Sequence, residues 1–422
     1  MKLFIKNFSN FEIKIYVAST ILIILSKVLF LNHHLKESTL LTSDSVDYLS
    51  AGENFFNTYF STTKPEVLLS LYRLPGYPLL ISITDSTQIL IYVQIFAHSL
   101  IGIVAVILLK KIFYIRSKLI CLFAYFLIQI ETSLLVYSYR LLSDLLFALI
   151  VLLLTYVILY RQKYPNKKYL NYLVIFLLIS SFLFRPTSFA FIIVFAIMSV
   201  ISKNKKYFSK LFVYSVIIFL VYSSFNLVKS GVFTYTLLQN QNFLIYEGIG
   251  AKDINSPLTF NALIDEEMKL RNEKLGSDPQ LKEINTYNFK RGLELINMNR
   301  IAFAKMHTIG ILKVIYGPNR FELTEILSDK GRLNLSEIDI QIVYGVAFFV
   351  TFFISSLGLL SMFRIFASSD AAKFISFTIL SFILISSSSI GYGRFRTPIS
   401  ALLIVCIAVS FSNAKILNRK SN

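Results

Sequence analysis

The sequence predicts an all-α integral membrane protein of about ten transmembrane helices, with an amphipathic first outer loop and a small, mostly helical extracytoplasmic domain. Three observations carry this. The 422 residues are 55% hydrophobic, with a mean hydropathy of +0.63, too apolar for a soluble chain of this length. Apolar runs close to the roughly 20 residues of a bilayer-spanning helix recur along the chain. The net charge of +18 is gathered into short loops between those runs, the distribution that orients membrane proteins with basic loops inside. That placement sets aside nucleic acid, the other partner so basic a chain would suggest.

The expected spans lie near residues 12–31, 88–109, 118–133, 141–160, 169–184, 188–202, 211–228, 341–362, 372–390 and 398–413. The first is longer than a signal-peptide core and no small-residue cleavage site follows it, so it reads as a retained anchor. The segments KKIFYIRSK (110–118), RQKYPNKK (161–168), KNKKYFSK (203–210) and KILNRKSN (415–422) are dense in Lys and Arg. Placing them in the cytoplasm puts both termini inside, as an even number of spans requires.

Two outward segments remain, 32–87 and 229–340. They divide the chain into an N-terminal transmembrane module (1–228), an extracytoplasmic helical domain (229–340) and C-terminal transmembrane helices (341–422). The middle segment mixes charge with helical apolar spacing in ALIDEEMKLRNEKL and QLKEINTYNFKRGLELINMNRIAFAKMH. Its acids Glu247, Asp253 and Asp265 to Glu267 read as solvated charge.

Cys121 and Cys406 fall inside apolar runs, so no disulfide framework is implied. His98, within the second span, reads as a hydrogen-bonded packing residue. His33 and His34 lack the cysteine partners of a zinc site. No P-loop or dinucleotide fingerprint is present.

Chemistry-bearing residues gather in the outward segments. In SDSVDYLSAGENFFNTYF (43–60), Asp44 and Asp47 share a helix face. Val46, Leu49, Phe56 and Phe60 form an apolar stripe suited to a membrane surface. One reading has Asp44 cap this helix and Asp47 complete a capping pair. The other has a general base held beside a lipid-borne substrate.

YRLPGYPLLI (72–81) sets Arg73 ahead of Pro75, Gly76, Tyr77 and Pro78, with Gly76 allowing a tight turn between two stiff residues. At the fourth span Ser143 and Asp144 read as a cap, or Asp144 as a second carboxylate facing the same cavity. LFRPTS (183–188) and GYGRFRTPI (391–399) place Arg185, Arg394 and Arg396 outside as well.

The short outer segments thus carry Arg73, Arg140, Arg185, Arg394 and Arg396, with only Lys36 and Lys64 besides, whereas the inner loops are mostly lysine. Guanidinium grips phosphate at two points. Arginines kept where the orientation rule disfavours cations point to an anionic ligand; the alternative is snorkelling, or pairing with Asp44, Asp47 and Asp144.

In order, DSVDYLSAGENFF, YRLPGYPLLI, YSYRLLSDLLF, FRPTSF and RFRTPI resemble the stretches of polytopic superfamily-C glycosyltransferases. The nearest branch is that of protein O-mannosyltransferases and aminoarabinose transferases. The likeness covers roughly residues 10–230 and 385–415. It implies a catalytic carboxylate at Asp44, with Asp47 as neighbouring candidate, a polyprenyl-phosphate-linked sugar donor, and inversion at the sugar carbon. Family members often carry Asp-Glu where this chain has Asp44-Ser45, and Ser-Glu where it has Ser143-Asp144. The first departure leaves Asp47 a rival base.

On this reading Arg73, Arg185, Arg394 and Arg396 bind the donor phosphate, and residues 75–78 shape the loop that holds Arg73. No cofactor is required, since arginine alone can neutralise a lipid phosphate, although the site admits a divalent metal. The expected partners are the donor, a glycan, lipid or protein acceptor, and membrane lipids. The expected location is a bacterial cytoplasmic membrane with the active site on the outer side. Two further readings stay open: a polysaccharide polymerase or ligase using polyprenyl diphosphate, and a transporter or flippase for an anionic lipid.

Overall fold

The computed structural model describes residues 9–60, 64–276, 279–327, 335–388 and 393–420. Gly391 and Tyr392 of the GYGRFR stretch lie outside the described residues, as does the side chain of Lys64. All regular structure among the described residues is helical.

In chain order the elements that matter are α1 (Asn10–His34), α2 (Ser43–Glu53), α3 (Gly76–Thr84), α4 (Thr87–Lys111), α5 (Lys118–Ile130), α6 (Asp144–Lys163), α7 (Tyr169–Phe184), α8 (Phe189–Ile201), α9 (Lys205–Ser230), α10 (Arg300–Tyr316), α11 (Glu337–Ile365), α12 (Asp370–Ser386) and α13 (Thr397–Lys420). Helix α6 is the hub. It packs on α4, α7 and α13, while α13 also packs on α11, α5 and α12, and α8 sits between α9 and α12. Leu141, Phe147, Val151, Leu152, Leu402 and Cys406 are wholly buried along this axis. Such burial on every side marks helices at the centre of a bundle.

Each expected apolar run lies on a helix, but the helices differ in reach. Among the described residues six are long and apolar enough to cross a membrane: α1, α4, α6, α9, α11 and the 393–412 stretch that contains the start of α13. Helices α5, α7, α8 and α12 have 13, 16, 13 and 17 residues. At 1.5 Å per residue these cover about 20–25 Å of a hydrocarbon core about 30 Å thick. The expected count of about ten is therefore not reached on length.

The break between α7 and α8 has a local cause. Pro186 opens a single 3-10 turn, and Arg185 before it is extended, with φ −149° and ψ 142°. A residue preceding proline is pushed out of the helical region in this way.

The segment between α9 and α10 is helical and has a small core of its own, Leu244, Ile249, Leu263 and Leu295. Glu267 corrects the reading of its acids as solvated. It is fully buried, because Arg291 donates to it at 2.8 and 3.0 Å and Lys252 at 3.3 Å. Helix α10 packs against α11 and α12.

The YRLPGYPLLI corner departs from the expected turn. Gly76 is the first residue of α3 and its backbone is not left-handed. Close approach requires it instead: a Cβ there would lie 2.5 Å from Phe184 Cδ2 and 2.8 Å from the Leu183 carbonyl oxygen. On the other flank a Cβ on Gly52 of α2 would lie 2.5 Å from Ile81 Cγ2 of α3. Helix α3 is thus a spacer clamped between α2 and the end of α7. Tyr77 locks it, donating to Gln94 Oε1 at 2.7 Å and meeting the Tyr48 ring edge-on at 5.0 Å.

Gly76→Ala therefore costs about 1–3 kcal/mol through overpacking, read as a lowered melting temperature. An unchanged temperature would show that α7 and α3 are free to separate.

Candidate functional site

Capping settles why two acids of α2 are free for other work. Thr42 accepts from the Ser45 N–H at 3.3 Å, and the Ser45 hydroxyl accepts from the Thr42 N–H at 2.9 Å. Thr42 and Ser45 thus form the capping pair expected of Asp44 and Asp47. Asp44, in the first turn, faces outward from the cap and gains from the positive end of the helix. Ser143 likewise makes no side-chain capping bond at the start of α6, and Asp144 follows it fully buried.

From these positions a row of alternating charges runs across one end of the bundle. Arg73 donates to Asp47 Oδ2 through Nε at 3.2 Å and Nη2 at 2.7 Å, and to Asp44 Oδ1 at 2.8 Å. Arg394 donates to Asp44 Oδ2 at 2.7 Å. Its Nε also reaches both oxygens of Asp144, at 3.1 and 3.0 Å. Arg185 closes the row on Asp144 Oδ1.

The order is therefore Asp47, Arg73, Asp44, Arg394, Asp144, Arg185. Three acids balance three guanidiniums. The exposure of its acids rises along it, from 0% for the Asp144 side chain to 29% for Asp44 and 47% for Asp47. The row has a closed end under α6 and an open end on α2.

Aromatic rings back the cations. The Arg73 guanidinium lies 5.1 Å from the centre of the Tyr48 ring, and that of Arg185 lies 6.0 Å from Phe395. Tyr48 in turn reaches Ser143 Oγ at 3.1 Å, tying α2 to the start of α6. Tyr59 donates to the Arg73 carbonyl at 2.8 Å.

Burial alone would raise the Asp44 carboxyl. The guanidiniums of Arg394 and Arg73 outweigh it and hold the group well below the usual carboxylate range.

The structure brings together Asp44, Asp47, Arg73, Asp144, Arg185 and Arg394, with Pro75, Gly76, Tyr77 and Pro78 shaping the corner beneath Arg73. It does not bring Arg396 to the row, which corrects the expected phosphate set. Arg396 is 1% exposed and pairs with Glu131 Oε1 at 3.2 and 3.1 Å. Its remaining donors hold the carbonyls of Val314, Ile315 and Gly317, which end α10, and Ser133 Oγ. With every guanidinium nitrogen engaged, it is a staple between α10, α13 and the turn after α5. Arg140 is similar, bound to the carbonyl of Thr39 and to Glu325 at 2.7 Å.

Sequence reasoning missed Glu131 and Glu325 as partners of these arginines, and Tyr48 as the ring beneath Arg73. Only the position of Glu131, at the end of an apolar run, hinted at a buried role. The pairing alternative for the arginines is what the row displays. Its open end is what burial of charge alone would not need.

Among the described residues no group of three or more His, Cys, Asp and Glu is placed to hold a metal ion. No family model, curated protein or solved structure matches the chain.

Two outcomes test the row. Asp144→Ala leaves Arg185 and one side of Arg394 buried without a counter-charge and costs about 3–5 kcal/mol, visible as a large drop in melting temperature. Asp44 has a folded-state value below the roughly 3.9 of an unperturbed aspartate. Its contribution is therefore complete above that value and is lost as pH falls toward the folded one. Below about pH 4 the wild type then loses stability faster than Asp44→Asn; parallel acid profiles would show that Asp44 is not held ionised.

Proposed function

We propose that the protein is a membrane glycosyltransferase that moves a sugar from a polyprenyl-phosphate donor to a hydroxyl or amine acceptor, inverting the sugar carbon. One observation carries the reading. A part-exposed acid, Asp44, shares a single charge row with guanidiniums drawn from segments as far as 350 residues apart. Phosphate competes well for guanidinium because it accepts two parallel bonds.

In the free protein Asp44 is a poor base, since two arginines stabilise its charge. A donor phosphate entering at the open end draws Arg73 and Arg394 toward itself. That removes the hold on Asp44 and raises its basicity once substrate is present. The acceptor then gives its proton to the Asp44 carboxylate as its oxygen or nitrogen bonds to the anomeric carbon. The bond from that carbon to the phosphate oxygen breaks, and the electron pair stays on the phosphate, where the guanidiniums neutralise it. Asp144, with Arg185, keeps Arg394 in position. Asp47 is the rival base, more exposed and bonded to Arg73. No step requires a metal.

On this reading the Lys-rich loops and both termini face the cytoplasm, and the charge row faces outward from a bacterial cytoplasmic membrane with about ten membrane-embedded helices. The segment between α9 and α10 is then the extracytoplasmic domain. The acceptor is a glycan, lipid or protein on that side.

A second reading, transport of an anionic lipid, draws on a different observation. Within α1, α4 and α5, Lys27 Nζ lies 2.7 Å from His98 Nδ1 and 3.3 Å from Gln129 Oε1, all buried. Ionisable groups at such depth accompany translocation pathways. Reconstituted vesicles separate the two: lipid movement without a covalent product favours transport.

For the transferase, purified protein is assayed for sugar transfer from a polyprenyl-phosphate donor. Asp44→Asn lowers turnover by about 10²–10⁴-fold and Arg394→Gln by about 10²–10³-fold, with the fold retained. Wild-type turnover by a folded Asp44→Asn sinks the assignment of the base.

A further inference from the structure

The opposite end of the bundle carries a second charged feature, independent of the charge row. Helix α6 spans about 30 Å, and where it ends Arg161 and Gln162 meet the start of α9. Together with Asn204, Lys206, Tyr207 and Lys210 they line a cavity of about 280 Å³.

Its chemistry is one-sided. Arg161, Lys206 and Lys210 contribute three cations, and among the described residues no carboxylate pairs with any of them. The acid that opens α12, Asp370, is engaged elsewhere, accepting from Ser202 Oγ at 2.9 Å and the Lys203 N–H at 2.8 Å. Arg161 is oriented rather than neutralised: its Nε donates to Asn171 Oδ1 at 2.7 Å, and its guanidinium lies 5.9 Å from the Tyr207 ring centre. Two buried polar atoms at the cavity, Gln162 Nε2 and the Tyr207 hydroxyl, have no hydrogen-bond partner.

The start of α9 compounds the imbalance. Asn204 makes no side-chain capping bond, and the first turn holds lysines and no acid. Cations at a helix N-terminus oppose its positive end, and lysines four apart repel. Membrane orientation accounts for positive charge somewhere in this loop. It does not account for cations from two helices turned onto one cavity beside unpartnered donors. A bound anion supplies the counter-charge that these cations lack.

We propose that this cavity binds a phosphate-bearing anion, held by Arg161, Lys206 and Lys210 and by the Gln162 amide. Its depth identifies the form. The cavity sits where two membrane-length helices, α6 and α9, reach their ends, the level of lipid headgroups. Basic pockets between helix ends are the type of site that holds anionic lipid.

The full-length protein in detergent, titrated with phosphatidylglycerol and read by native mass spectrometry, tests this. Wild type takes up one lipid saturably and gains melting temperature with it. The variant Arg161→Gln/Lys206→Gln/Lys210→Gln binds about a hundredfold more weakly and gains none, whereas Lys269→Gln/Lys282→Gln/Lys290→Gln, which removes equal charge elsewhere, binds as wild type. Should the triple variant fail to fold, Gln162→Leu, which removes only the amide donor, weakens binding on its own. Displacement of the lipid by millimolar inorganic phosphate would assign the site to free phosphate within the same chemistry. Equal binding by wild type and the cavity variants, or equal loss in the control variant, overturns the proposal.

Discussion

Arg394 is the residue on which the candidate site turns. It joins an acid on the first loop to an acid at the start of α6, and it comes from a turn near the other end of the chain. Arg73 and Arg185 each serve one of these acids, but only Arg394 bridges the two, adding to each a counter-charge and directed hydrogen bonds of the kind a buried charge needs. The row it completes is neutral as a whole. Neutrality lets six charged groups gather at one end of an apolar bundle.

Holding that row requires backbone precision, and the packing beneath it supplies this. Gly52 and Gly76 let α2, α3 and the end of α7 approach more closely than any side chain would permit. Pro186 stops α7 so that Arg185 can turn toward Asp144. Arg396, two residues past Arg394, ties the same turn to the end of α10 through three carbonyls and Glu131. One arginine of the pair faces the open cluster and the other anchors the turn that presents it. This is the arrangement preorganised sites use, in which a rigid support limits the freedom lost when substrate arrives.

The two ends of the bundle treat cations differently. At one end arginines are matched by acids, and the balance can shift only if an incoming anion takes over a guanidinium. At the other, Lys206, Lys210 and Arg161 line a cavity, and among the described residues no carboxylate pairs with them. Guanidinium suits the first setting, with its planar fork and modest hydration, whereas mobile ammonium groups suit the second, where Lys206 and Lys210 are exposed.

Composition, periodicity and motif order pointed to a helical membrane protein, ten apolar runs, and all six residues that now form the row. Asp44, Asp47, Arg73, Asp144, Arg185 and Arg394 stood out because charge in an apolar setting is costly and must have a reason. Local pattern could not say which partner each would find. Arg394 and Arg396 look alike in RFR, yet their destinations lie 350 and 265 residues away, at Asp44 and Glu131. The same limit hid the burial of Glu267, whereas the capping pair of Thr42 and Ser45, which released Asp44, is local. Hydrophobic spacing records which face of a helix avoids water. Pairing of charges and the contact that demands Gly76 depend on segments distant in the chain, so they were decided only when the helices packed.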